Sequence, residues 1–191
     1  MCFFKRMDPH VQRAANSFQN RFSKTALLVL VSIASAITAL IQSAGGTLPA
    51  VGLIISPFST LPVVLITIIS PLLGIYTFFL TGLLLLLVQP SELLIFLFTT
   101  GLLGVGLGHG FTFFQRRILI ASIGSLSLFP GICIMLLGFQ FPLFGPEFQS
   151  TSSFYFWLSL FLFSCGYSLV WVEITFLIFK KYVSRRLRSK P

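Results

Sequence analysis

The sequence predicts an all-α polytopic membrane protein, a bundle of six transmembrane helices with both chain ends cytoplasmic. Three observations carry this. Of 191 residues, 55% are hydrophobic and 9% charged, with a mean hydropathy of +0.97, and the apolar residues fall into runs approaching the roughly 20 that a bilayer core demands. Proline and glycine punctuate those runs. The thirteen Lys and Arg residues flank them, at Lys5, Arg6, Arg13, Arg21 and Lys24, at Arg116 and Arg117, and from Lys180 to Lys190.

Residues 1–24 form a basic cytoplasmic arm in which Phe3, Phe4, Met7, Val11, Phe18 and Phe22 are irregularly spaced among the positive charges. An anionic membrane surface or open solvent suits it equally. The arm is too polar for the core of a secretory signal, so the following apolar run is expected to remain as a span. Residues 25–181 form a single six-helix domain, and 182–191 a basic cytoplasmic tail. The first span is predicted at 25–44 and is broken by Gly45-Gly46-Thr47-Leu48-Pro49. Residues 50–55 are apolar but short, which suggests a capping loop dipping toward the membrane. A short or irregular second span follows at 57–69, then a turn at Ser70-Pro71 and a third span at 72–88. Gln89-Pro90-Ser91-Glu92 reads as a turn with Ser91 as N-cap and Glu92 complementing the dipole of the fourth helix, 93–110. The fifth span is predicted at 118–138, with Pro130 and Gly131 inside it, a loop at 139–153 and the sixth span at 154–179.

The organising stretch is 56–82, which holds Pro57, Pro62 and Pro71 and no charge. Proline removes a backbone donor, and in hydrocarbon the freed carbonyl needs a partner, so a broken helix persists only where protein buries it or where it lines a cavity. A cavity wall is expected here.

Orientation follows from charge. With six spans, the N-terminal arm, the Ser70-Pro71 turn, the Arg116-Arg117 connection and the tail share one side, so every Lys and Arg is cytoplasmic. The opposite connections carry Glu92 and Glu147 and no basic residue. Five or seven spans would place one basic cluster outside.

Several chemistries find no residues to perform them. The basic residues flank apolar runs instead of interleaving with polar ones, which argues against nucleic acid. Cys2, Cys133 and Cys165 are too few and scattered for a disulfide framework or a CxxC metal site. His10 and His109 lack helix-spaced partners for zinc, Asp8 is the only aspartate, and no P-loop Gly-Lys pair exists. Gly101, Gly104, Gly106, Gly108 and Gly110 therefore read as close helix packing. No enzyme activity, cofactor or metal is expected.

Binding is better supplied. Gln42, Gln89, Glu92, Gln140, Glu147, Gln149, Tyr155 and Trp157 gather at span ends on the non-basic side, a mostly apolar setting with a few polar groups that suits a small-molecule pocket. An ordinary interfacial belt would use Tyr and Trp in the same way. Ser32, Ser35, Ala36 and Ala39 give the first span a smooth face, for docking a partner helix or for packing within the bundle. Glu173, an acid inside an apolar span, is assigned a structural role near Arg116 or Arg117.

Ser59-Thr60-Leu61-Pro62-Val63 and Ser70-Pro71-Leu72-Leu73-Gly74, the latter followed by Phe79-Leu80-Thr81-Gly82, resemble the entry to the second helix and the start of the third in the substrate-binding S components of energy-coupling factor (ECF) transporters, and in the YybS-like membrane proteins related to them. Ser70 stands where that pattern has glycine, and the first helix has Ser-x-x-x-Ala for the more usual Ala-x-x-x-Ala. The resemblance implies a six-helix component that captures a vitamin-like molecule or a cation from outside. It also implies docking, through Ser32, Ser35, Ala36 and Ala39, on a membrane coupling subunit with two ATPases. Met1-Cys2-Phe3 lacks the N-terminal histidine motif of the nickel and cobalt members. The rival expectation is a non-transporting membrane scaffold or assembly factor acting through helix association.

Overall fold

A computed structural model describes residues 22–48, 50–140 and 154–188, with side chains of the last helix described as far as 179 and at 181. The described chain is helical and contains six helices long and apolar enough to cross a membrane: α1 (Lys24–Thr47), α2 (Val51–Ile69), α3 (Pro71–Val88), α4 (Pro90–Phe113), α5 (Arg117–Gly138) and α6, whose span is Phe154–Phe179. This is the architecture of a multi-pass membrane protein. Large apolar side chains such as Leu40, Leu53, Leu87 and Leu126 stay exposed on the outer surface, where lipid replaces water as their neighbour.

The second span starts earlier than the sequence suggests. Residues 51–55 are the first turn of α2 and not a capping loop, and Ser56–Ser59 continues them as a tight 3-10 turn before Thr60–Ile69 resumes the α form. Pro57 opens the 3-10 turn, whose tighter winding takes a proline without ending the helix, which continues through Pro62. Pro71 and Pro90 open α3 and α4, where a proline gives up no intrahelical hydrogen bond. The N-cap of α4 is accordingly Gln89, and Ser91 lies inside its first turn. Two π-helical segments, Phe96–Thr100 in α4 and Ile134–Gly138 at the end of α5, interrupt regular winding.

The glycines of α4 explain its central position. A Cβ on Gly104 would lie 2.8 Å from Val63 Cβ, and one on Gly108 would lie 2.2 Å from Thr67 Cβ, so this pair faces α2. Gly106 and Gly110 face α5 instead, against Ser127 and Ile120. Two small-xxx-small faces on one helix let α2 and α5 approach from different sides. The α4 residues Leu103, Leu107 and Phe111 then pack with Val64, Ile120 and Val172 in the main core cluster. On the other flank α1 packs on α3, where Ser35 Oγ donates to the Thr77 carbonyl at 3.3 Å.

These contacts run the spans alternately up and down. Lys24, Arg116, Arg117 and Lys181 therefore gather at one end of the bundle, and Gln42, Gln89 and Glu92 at the other.

Candidate functional site

The site is built around Gln42, in the last turns of α1 and wholly buried. Its amide oxygen accepts two hydroxyl hydrogens, from Ser59 Oγ at 2.7 Å and from Thr100 Oγ1 at 2.8 Å. Two donors on the oxygen fix which way the amide faces, and its Nε2 donates to Glu92 Oε2 at 2.8 Å. Three spans are thus tied to one side chain. Ser59 is the last residue of the 3-10 turn and Thr100 the last of the π segment. Both hydroxyls reach Gln42 from turns where winding departs from α, and π segments of this kind recur at functional sites.

Glu92 sits in the first turn of α4, where the helix dipole favours negative charge. It is only 6% exposed. Gly45 and Gly46 make room for it: a Cβ on Gly45 would lie 2.9 Å from both carboxylate oxygens, and one on Gly46 would lie 2.5 Å from Gln89 Nε2. Gln89 and Glu92 therefore lie against the bare backbone of α1, and the Gln89 amide also donates to Ser91 Oγ at 3.2 Å. Among the described residues, Glu92 is the only charged group at this end. The cluster offers a carboxylate, side-chain amides and hydroxyls, a set suited to a small solute that carries positive charge or hydrogen-bond donors.

Of the residues singled out from the sequence, Gln42, Gln89 and Glu92 come together. Tyr155 is exposed on the outer surface, Trp157 is half-buried with its ring edge-on to Phe156, and Gln140 is exposed with a φ of 49°. Among the described residues, no hydrogen bond joins these three to the cluster. Glu147 and Gln149 lie outside the described residues. In the sequence Ser59 and Thr100 each read as one hydroxyl in an apolar run; the amide of Gln42, which needs several partners once buried, is the signal that points to them.

The small-residue face of α1 is divided. Ser35 and Ala39 are buried inside the bundle, whereas Ser32 and Ala36 look outward beside Ile33 and Ile37. At the basic end, Arg117 pairs with Glu173 at 2.6 Å and lies 4.1 Å from the Phe176 ring centroid. His109 Nδ1 lies 2.9 Å from the Val105 carbonyl and its ring stacks on Phe113. Among the described residues, no three His, Cys, Asp or Glu side chains are grouped as metal ligands.

Comparison of the chain with protein-family models, with curated proteins and with solved structures finds no match.

Proposed function

We propose that this chain is a membrane transport component. It takes a small solute, a vitamin-like molecule or a cation, at the non-basic end of the bundle and draws its energy from a partner coupling subunit with ATPases. In this reading it lies in the cell membrane with both termini cytoplasmic, because the basic residues then obey the positive-inside rule. The observation that carries the proposal is the Gln42–Ser59–Thr100–Glu92 cluster: a buried carboxylate, amide and hydroxyl pair supplied by three spans, the two hydroxyls from interruptions of helical winding. Polar groups inside a membrane bundle are expensive, and by default they mark a solute or ion site. The ligand binds where these side chains already converge, with Glu92 meeting its positive or donor group. The outward pair Ser32 and Ala36 is the surface left for the coupling subunit to approach.

The scaffold alternative loses its strongest support, since Gly104, Gly106, Gly108 and Gly110 are occupied by contacts within the chain. Two measurements on the detergent-purified protein decide between the readings. A transport component brings a coupling subunit and ATPases through mild purification, and at least one member of a panel of vitamins, amines and metal ions raises its melting temperature by mass action. Failure of both, across the whole panel, favours the scaffold.

A further inference from the structure

Of the two acidic residues among those described, the more buried one is the one without a partner. Glu173, 36% exposed at the basic end, is paired with Arg117. Glu92, 6% exposed at the opposite end, has no Lys, Arg or His in ion-pair reach among the described residues. The helix ends do not supply the missing charge. α1 and α3 finish here with no basic residue in their last turns, and α2 and α4 begin here, so the half-charges of the four dipoles offset one another. The full charge of the carboxylate is left over, at the end of a membrane bundle where an unpaired carboxylate is costly.

We infer that the guest at this site is a small primary ammonium compound, and neither a divalent metal ion nor a neutral molecule. The inference rests on the solute-site reading above and narrows it to one chemical class. One positive charge balances Glu92, and no second carboxylate stands at this end among the described residues. The supply of acceptors decides the rest. Calcium takes about six to eight oxygen ligands and magnesium a near-ideal octahedron. The Gln42 oxygen has no place left for a cation, since Ser59 and Thr100 fill both of its acceptor positions, and the Ser43 hydroxyl donates to the Leu40 carbonyl. What remains is Glu92 and the Gln89 amide, which border one spot: the place a Cβ on Gly46 would take is 2.5 Å from Gln89 Nε2 and 3.3 Å from Glu92 Oε1. An ammonium group needs a few acceptors and no closed coordination shell. It donates charge-assisted hydrogen bonds to the carboxylate, and the Gln89 amide, held by the exposed Ser91 hydroxyl at 3.2 Å, is free to turn its oxygen toward it. No tunnel is required. Glu92 lies in the first turn of its span, and its neighbours Gly46, Pro90 and Ser91 are exposed, so the carboxylate is met directly from the aqueous side at the rim of the bundle. The slight exposure of Glu92 admits a narrow head and leaves the body of the solute outside.

Calorimetric titration of the detergent-purified protein, at fixed sodium chloride, tests the class. The probes are ethylammonium, its neutral counterpart ethanol, magnesium and calcium. Ethylammonium is expected to bind at least about tenfold more tightly than the other three, and about tenfold more weakly to Glu92→Gln than to the unaltered protein. The comparison among probes uses the unaltered protein alone, so it holds even where Glu92→Gln folds poorly. Ethanol, magnesium or calcium binding as tightly as ethylammonium overturns the inference, as does undiminished binding of ethylammonium to folded Glu92→Gln. Silence with ethylammonium while a vitamin or metal ion of the wider panel stabilises the protein overturns the ammonium class and leaves the solute site standing; silence with the whole panel removes both.

Discussion

The Gln42 network predicts a specific non-additivity. Gln42→Met keeps length and volume while removing both polar atoms. Three partners are then left: the Ser59 and Thr100 hydroxyls, and Glu92. A buried polar group left unpaired costs about 1–3 kcal/mol, but hydroxyls on a helix recover much of that by turning to their own carbonyls, and hydrogen bonds between membrane helices average only about 0.6 kcal/mol. The carboxylate at 6% exposure has no such refuge. The single change is therefore expected to cost about 2–3 kcal/mol, most of it at Glu92. Glu92→Met alone orphans the Gln42 amide nitrogen and costs about 1–2 kcal/mol. Replacing both removes donor and acceptor together, so the double variant is less destabilised than the sum of the singles by about 1.5 kcal/mol, roughly tenfold in the unfolding constant. Equilibrium unfolding in mixed micelles, followed through the two tryptophans, measures all four corners of the cycle. Single changes that add to within about 0.5 kcal/mol would refute the network as an energetic unit.

Other expectations follow from the packing. Gly108→Ala drives a methyl group into Thr67 and is expected to destabilise the bundle by about 2 kcal/mol or more, whereas Gly166→Ala, with nothing within 4 Å, gains up to about 1 kcal/mol from helix propensity; thermal melts of the two variants separate the cases. Gly131→Ala places its Cβ 1.8 Å from the Phe98 carbonyl oxygen, and is expected to lower the folded yield and the melting temperature together. Glu173→Gln breaks the pair with Arg117, but Glu173 is 36% exposed, so solvent screening holds the loss below about 1 kcal/mol in the same unfolding assay. Ala36→Leu points outward from α1 and, on the proposed transport reading, is expected to leave stability unchanged while lowering recovery of the proposed coupling subunit; unchanged recovery removes Ala36 from the proposed docking surface.

The parts of the fold legible in the sequence were those set by hydrophobic length and charge. Six apolar runs, their prolines and the flanking Lys and Arg clusters place five of the spans to within three residues at each end, because the bilayer imposes one length and charged side chains resist leaving its edges. The five glycines around Gly106 announced close packing, and the structure divides four of them between α2 and α5. Glu173 was paired with the basic end for the same electrostatic reason that now joins it to Arg117. What escaped was winding. No residue type announces a π segment, so Thr100 could not be brought to Gln42 by counting, and a proline such as Pro57 reads as a break when a 3-10 turn absorbs it. Ala50–Ile55 failed as a loop because Gly52, whose Cβ would sit 1.9 Å from the Ala44 carbonyl oxygen, lets the first turn of α2 lie directly on α1. Tyr155 and Trp157 share the depth of the cluster in the sequence, but depth does not decide which way a side chain faces.

The claim at the centre is that the carboxylate of Glu92 holds the solute. Calorimetric titration of a solute that stabilises the protein, into wild type, Glu92→Gln and the distant Gly166→Ala, tests it most directly. Glu92→Gln preserves shape and a partner for the Gln42 amide while removing charge. The account predicts affinity at least about tenfold weaker in Glu92→Gln, a loss of about 1.4 kcal/mol, and unchanged in Gly166→Ala. Equal affinity in all three proteins would contradict it.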